Sequence, residues 1–171
     1  MNRRDIFSPF AVAALALVML PSGAVSQQRT LKEQLVGAWT LVSIIATDKA
    51  GGKSERRGPN PKGLLIFDAS GRYSILTARA DLPNFAIDNV NQGTAEENKA
   101  VMTGMIANVG TWSVDEKTRT ITTNVEAGSF PNLNGKTQTR VISSLTADEL
   151  RYVNGASVSA TVDEATWRRA K

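Results

Sequence analysis

Three charged side chains sit inside strand-forming stretches of this sequence and are the first candidates for chemistry: Arg79, Glu126 and Arg140. Glu126 and Arg140 flank the segment 127–136 at comparable distances, so two antiparallel strands joined by that segment bring them side by side. Facing inward, an arginine offers a two-pronged match to a carboxylate or phosphate, while Glu126 orients it or accepts a proton. Facing outward, the same pair is a surface ion pair without functional weight. Alternation along a strand decides which residues share a face but not which face is inside, so both readings stand. Tyr73 and Trp112 each carry a polar tip on an apolar body, which suits a pocket wall. Phe85, Met102 and Met105 could form an adaptable lid over an open end, or fasten a helix to a wall.

The residue inventory removes whole classes of chemistry. The chain has no cysteine and no histidine, which excludes thiolate catalysis, haem attachment through cysteine, Ser-His-Asp hydrolysis and histidine-ligated zinc or iron. No cofactor or metal is implied. Glu96 and Glu97 are accounted for by helix capping, and Asp163 and Glu164, adjacent in a strand, point to opposite faces.

The elements that position these residues follow from composition and period. With 171 residues, 42% of them hydrophobic and 21% charged, the chain has the composition of one globular domain preceded by a removable segment. Arg3 and Arg4 open a basic start, an apolar stretch runs to Leu20, and Ala24 and Ser26 are small residues before Gln27. That is the pattern of a signal peptide over residues 1–26, cleaved before Gln27. Asn2-Arg3-Arg4-Asp5-Ile6-Phe7 fits both the twin-arginine export pattern and an ordinary secretory start. The expected location is therefore periplasmic or secreted, with no membrane span after cleavage. Cleavage removes two arginines and one aspartate from a net charge of +4, leaving +3. This charge, spread without basic runs, gives no reason to expect nucleic acid as a partner, and a monomer is expected.

Leu35–Ala46 alternates as a first strand, with Trp39, Leu41, Ser43 and Ile45 on one face. After a loop over 47–62, the segments 63–68 and 72–79 form a hairpin through Asp68-Ala69-Ser70-Gly71, pairing Phe67 with Tyr73 and Leu65 with Ile75. Residues 80–93 read as irregular, and Thr94 with Glu97 forms a capping box that starts a helix over 95–106. Strand character returns at 110–114, 118–126, 137–145, 150–154 and 160–167. Eight strands joined mostly as hairpins predict an all-β, eight-stranded antiparallel meander barrel, with one helix inserted between strands 3 and 4.

The stretches Leu35-Val36-Gly37-Ala38-Trp39, Gly58-Pro59-Asn60-Pro61-Lys62-Gly63-Leu64-Leu65-Ile66-Phe67, Gly110-Thr111-Trp112 and Trp167-Arg168-Arg169 resemble the bacterial lipocalin-like domain proteins. The likeness covers nearly all of residues 35–170 and implies a lipocalin-like, calycin-type barrel. Gly37-Ala38-Trp39 is similar to the G-x-W that opens lipocalins, which implies structural roles for Gly37, for Trp39 at the barrel floor, and for a late arginine stacked over it, Arg168 or Arg169. Where the resemblance leads one to expect a histidine before the acidic residue of the fifth strand, this chain has Asn124-Val125-Glu126, and any activity that needs that imidazole is placed in doubt.

Together these readings predict an exported barrel that binds a small hydrophobic molecule, acidic in one version, without transforming it. The expected ligand-binding residues are Tyr73, Arg79, Phe85, Trp112, Asn124, Glu126 and Arg140. The alternative is a small barrel enzyme of isomerase, cyclase or hydrolase type, with Glu126 as base, Tyr73 as proton donor and Arg140 as electrostatic stabiliser.

Overall fold

The computed structural model describes residues 29–155 and 157–171. The expected signal peptide and its cleavage point before Gln27 lie outside these residues. No helix among the described residues is long and apolar enough to cross a membrane.

Nine strands follow one another as an antiparallel meander: β1 (Gly37–Thr47), β2 (Lys53–Glu55), β3 (Lys62–Phe67), β4 (Arg72–Ala78), β5 (Met105–Asp115), β6 (Thr120–Gly128), β7 (Thr137–Leu145), β8 (Glu149–Asn154) and β9 (Val162–Arg169). Pairing of β1 with β9 closes eight of them into a barrel, and the short β2 is an addition that covers Ile45–Thr47 where β3 no longer reaches. Closure removes the open edges that would otherwise invite association. A helix, α2 (Ala95–Gly104), separates β4 from β5, so the extra strand puts it after the fourth strand in chain order rather than after the third.

The β3–β4 hairpin forms in the expected register, Phe67 opposite Tyr73 and Leu65 opposite Ile75, with all four side chains buried. Gly71 holds a φ of +94°, which a glycine adopts without steric cost, and its N–H donates to the Asp68 carbonyl to close the turn. The capping box of α2 also forms: the Glu97 N–H donates to Thr94 Oγ1, and the Thr94 N–H donates to the Glu97 carboxylate.

Three elements depart from expectation. The helix stops at Gly104 rather than Ile106, because Met105, Ile106 and Ala107 pair with Ala78, Thr77 and Leu76, and ladder formation overrides the helical period there. A short helix, α1 (Leu31–Leu35), precedes the first strand, capped by Thr30 and Glu33 in the same box arrangement. Its first two N–H groups, on Leu31 and Lys32, donate to the Glu116 carboxylate, a negative charge at the positive end of the helix. Finally, Leu41 opposes Trp167 while Ser43 opposes Thr166, so Val42 is an extra, bulged residue. The bulge shifts the inward face of β1 from Trp39 and Leu41 to Ile44 and Ala46, and Ser43 and Ile45 leave the face they were expected to share with Trp39.

Burial is uneven along the barrel axis. At the end where α1 lies, Leu35, Trp39, Phe67, Trp112, Leu150 and Trp167 fill the interior, with Phe67 and Trp112 ring centroids 4.5 Å apart. Toward the other end the wall residues become polar, and the interior opens.

Candidate functional site

The open end holds a cavity of about 320 Å³, at the small end of the range for ligand pockets. Its apolar wall includes Ile44, Ile75, Tyr152 and Ala165. Met102, Met105 and Ile106, from the end of α2 and the start of β5, overhang it together with Phe130 and Leu133 from the β6–β7 connection. Met102 is 53% exposed at this rim, consistent with an adaptable margin. The polar wall is contributed by Arg57, Asn108, Gln138, Arg140, Asp163 and Arg56.

Arg140 comes from β7 and is buried. Its guanidinium donates to Thr123 Oγ1 at 2.8 Å and Gln138 Oε1 at 3.0 Å, and lies 5.6 Å from the centroid of the Tyr152 ring. All these partners are neutral. Tyr73 reaches toward the same layer, its hydroxyl donating to Asn108 Oδ1 at 2.6 Å. Burial pushes the Tyr73 phenol above its ordinary range, with the positive charge of Arg140 opposing the shift. Burial raises Tyr152 in the same way, so both phenols stay protonated at neutral pH.

Two further arginines enter from the segment between β2 and β3. Arg56 lies against Asp163, with Nε 2.6 Å from Oδ2 and Nη2 donating to Oδ1 at 2.8 Å, and the Thr161 hydroxyl donates to the same carboxylate at 2.6 Å. Arg57 is buried beneath it, its Nε donating to Thr77 Oγ1 at 3.1 Å and Nη1 to the Thr103 carbonyl at 3.0 Å.

Several sequence-predicted site residues stand elsewhere. Glu126 does not meet Arg140: Arg140 opposes Ile121, the β6–β7 ladder ends at Asn124 opposite Thr137, and Glu126, next to the buried Val125, points outward as the extra residue of a bulge against β5. There it makes a two-pronged pair with Arg72 at 2.5 and 2.7 Å, which holds its carboxyl below the usual range. The supposed trio of Glu126, Tyr73 and Arg140 is thus divided by the sheet. Arg79 is exposed and paired with Asp81, and Asn124 faces outward between Thr111 and Thr137. Trp112 belongs to the filled core, its Nε1 donating to the Asp68 carbonyl. Phe85 packs against Gly93 and does not line the cavity. Of the ligand-binding set, Arg140 lines the cavity and Tyr73 stands beneath it.

The floor arginine is Arg169, not Arg168. Its guanidinium carbon lies 3.7 Å from the centroid of the Trp39 ring, while its nitrogens donate to the carbonyls of Gln34, Val36 and Ala147. Alternation decides between the neighbours: Trp167 points inward, Arg168 opposes Glu149 on the outer face, and Arg169 opposes Trp39. Gly37, at φ +126°, passes so close to Arg169 that a Cβ would sit 3.0 Å from Nη1.

Some cavity residues were findable. Gln138 and Asp163 lie at even steps from Arg140 and Trp167 along β7 and β9, which period 2 would have placed inward. Arg56 and Arg57 carry no such signal, since the Gly- and Lys-rich segment around them reads as an exposed loop.

A closed antiparallel barrel, filled at one end and hollow at the other, defines a small binding-barrel class of protein. The sequence model of the lipocalin-like domain matches residues 36–170, and the chain belongs to that family. Among solved structures, a lipocalin-like protein from Bacteroides uniformis aligns with a TM-score of 0.44 at 13% identity, over 80% of this chain and 99% of that one. A redesigned β-barrel aligns with a TM-score of 0.43 at 11% identity, over 84% of this chain and 100% of that one. No curated protein matches the sequence.

Proposed function

We propose that the chain is an exported carrier that holds a small amphipathic acid in the open half of its barrel without transforming it. The observation that supports this reading is Arg140: a buried guanidinium on the cavity wall whose hydrogen-bond partners are all neutral. A buried cation calls for a counter-charge, and a ligand carboxylate is a fitting one. Ile44, Ile75 and Ala165 offer an apolar surface for the remainder of the molecule. Carriage rather than catalysis is supported by the acids and bases in reach. Asp163 is engaged by Arg56 and Thr161, Glu126 is on the outside, and the two buried phenols are shifted away from neutral pH.

Arg140→Ala is expected to weaken binding of a medium-chain fatty acid by about 1.5–3 kcal/mol, the scale of a charge-assisted hydrogen bond, and to leave the matching alcohol unaffected. Titration calorimetry with decanoic acid and decanol reads both. Equal losses for acid and alcohol would reduce the reading to an apolar pocket. Export is tested separately by sequencing the N-terminus of the protein recovered from its compartment: the first residue is expected to be Gln27, and Met1 would count against a cleaved leader.

A further inference from the structure

We infer that the preferred ligand carries two separated acid groups, one held by Arg140 and the second by Arg57 at the mouth, joined by a short apolar link. This rests on the reading above, which supplies the first contact alone. The argument is one of charge balance. Among the described residues the cavity wall presents three guanidinium groups, Arg56, Arg57 and Arg140, against one carboxylate, Asp163. Arg56 takes that carboxylate, and no described carboxylate lies within 4.0 Å of Arg57 or Arg140. The cavity wall therefore carries two cations in excess.

Arg57 is no solvated surface charge. It is 7% exposed, and its two hydrogen bonds go to a hydroxyl and a backbone carbonyl. Burial, and then the neighbouring Arg56, press against its charged form, with Asp163 offsetting part of the penalty. Arginine does not respond by losing its proton, so the charge persists and awaits an anion. Each guanidinium has five N–H groups, and two on each arginine are engaged, which leaves donors for a two-pronged carboxylate on both.

The two anchors share no partner. Arg57 is held by Thr77 on β4 and Thr103 near the end of α2, while Arg140 is held by Thr123 on β6 and Gln138 on β7. A single carboxylate, carrying one negative charge, would leave one of the two cations uncompensated. Two acid groups joined by a hydrocarbon chain or a ring satisfy both arginines in place, and Ile75, Met105 and Tyr152 give the link apolar contacts.

The test is titration calorimetry on the exported protein with α,ω-dicarboxylic acids of six to about twelve carbons, the monocarboxylic acid and alcohol of each length, and a monoalkyl phosphate as a compact dianion. At one chain length the diacid is expected to bind about tenfold or more tightly than its monoacid, the effect of one added charge-assisted contact. Arg57→Met is expected to bring the two within about twofold, the diacid losing much more than the monoacid, and Arg140→Met to weaken both. A diacid advantage absent at every length, or one that persists in a folded Arg57→Met, overturns the inference, as does a phosphate that outcompetes all diacids. The wild-type comparison needs no variant, so it decides even if Arg57→Met does not fold. Acids binding no better than alcohols would sink the underlying reading, whereas acids beating alcohols without a diacid advantage would sink this inference alone.

Discussion

Trp39→Ala is expected to lower the unfolding free energy by about 3–5 kcal/mol, the range for emptying a fully buried tryptophan site. Three losses coincide. The indole is completely buried in the floor cluster, so its removal leaves a cavity among large neighbours that cannot collapse together. The Leu35 carbonyl loses the Nε1 donor at 2.9 Å that fixes the end of α1. The Arg169 guanidinium loses the ring beneath it and keeps its three carbonyl contacts, so part of the site survives. Urea unfolding measures the change, and Arg168→Ala, on the outer face, is the matched control expected to change stability little. A loss under about 1 kcal/mol for Trp39→Ala would show that the floor is not held as described.

Asp163→Ala should be comparably costly, about 3–5 kcal/mol, because it strands the Arg56 guanidinium in a position where its side chain is 15% exposed. Removing the partner of a buried charge is worse than removing both. Arg56→Met combined with Asp163→Ala is therefore expected to be more stable than Asp163→Ala alone, and a thermodynamic cycle over the four proteins measures the coupling. Binding should move in the opposite direction from stability, since deleting the only carboxylate of the described cavity wall raises its positive excess and strengthens its hold on an acid. If the single variant proves as stable as wild type, the pair is not the tie across the mouth that its geometry indicates. If stability and acid affinity fall together, the cavity is losing shape rather than gaining charge.

The residues that made the fold legible are those whose environment repeats. Alternation in the hairpin, the turn at Asp68–Gly71 and the capping box at Thr94 are local rules, and the barrel closes with the pairings they imply. What sequence did not disclose is tied to irregularity. A single bulged residue reverses the face of everything after it, and that reversal accounts for Ile44 facing inward, whereas Glu126 and Arg140 are parted by register, since Arg140 opposes Ile121 and the ladder ends at Asn124. Arg169 could have been chosen over Arg168 by counting two from Trp167, a step that needs only the strand to continue. Arg56 and Arg57 were beyond such counting, because a loop has no period and only the three-dimensional path of 48–61 over the mouth brings two cations into an interior. Arg140 faces the cavity, but the carboxylate expected beside it, Glu126, is paired with Arg72 on the outside.

The placement of α1 beside the floor, with Arg169 bonded to Gln34 and Val36, brings both ends of the described chain to the sealed pole of the barrel. A group added after Lys171 hangs from the pole opposite the mouth. A fluorophore, an affinity handle or a surface linkage at Lys171 would leave the approach path clear, and a brief peptide bridge from Lys171 back to Arg29 would permit the chain to be reopened elsewhere. Reopened within 48–61 or 157–161, the same barrel would carry its new ends at the rim, where occupancy of the interior is felt first.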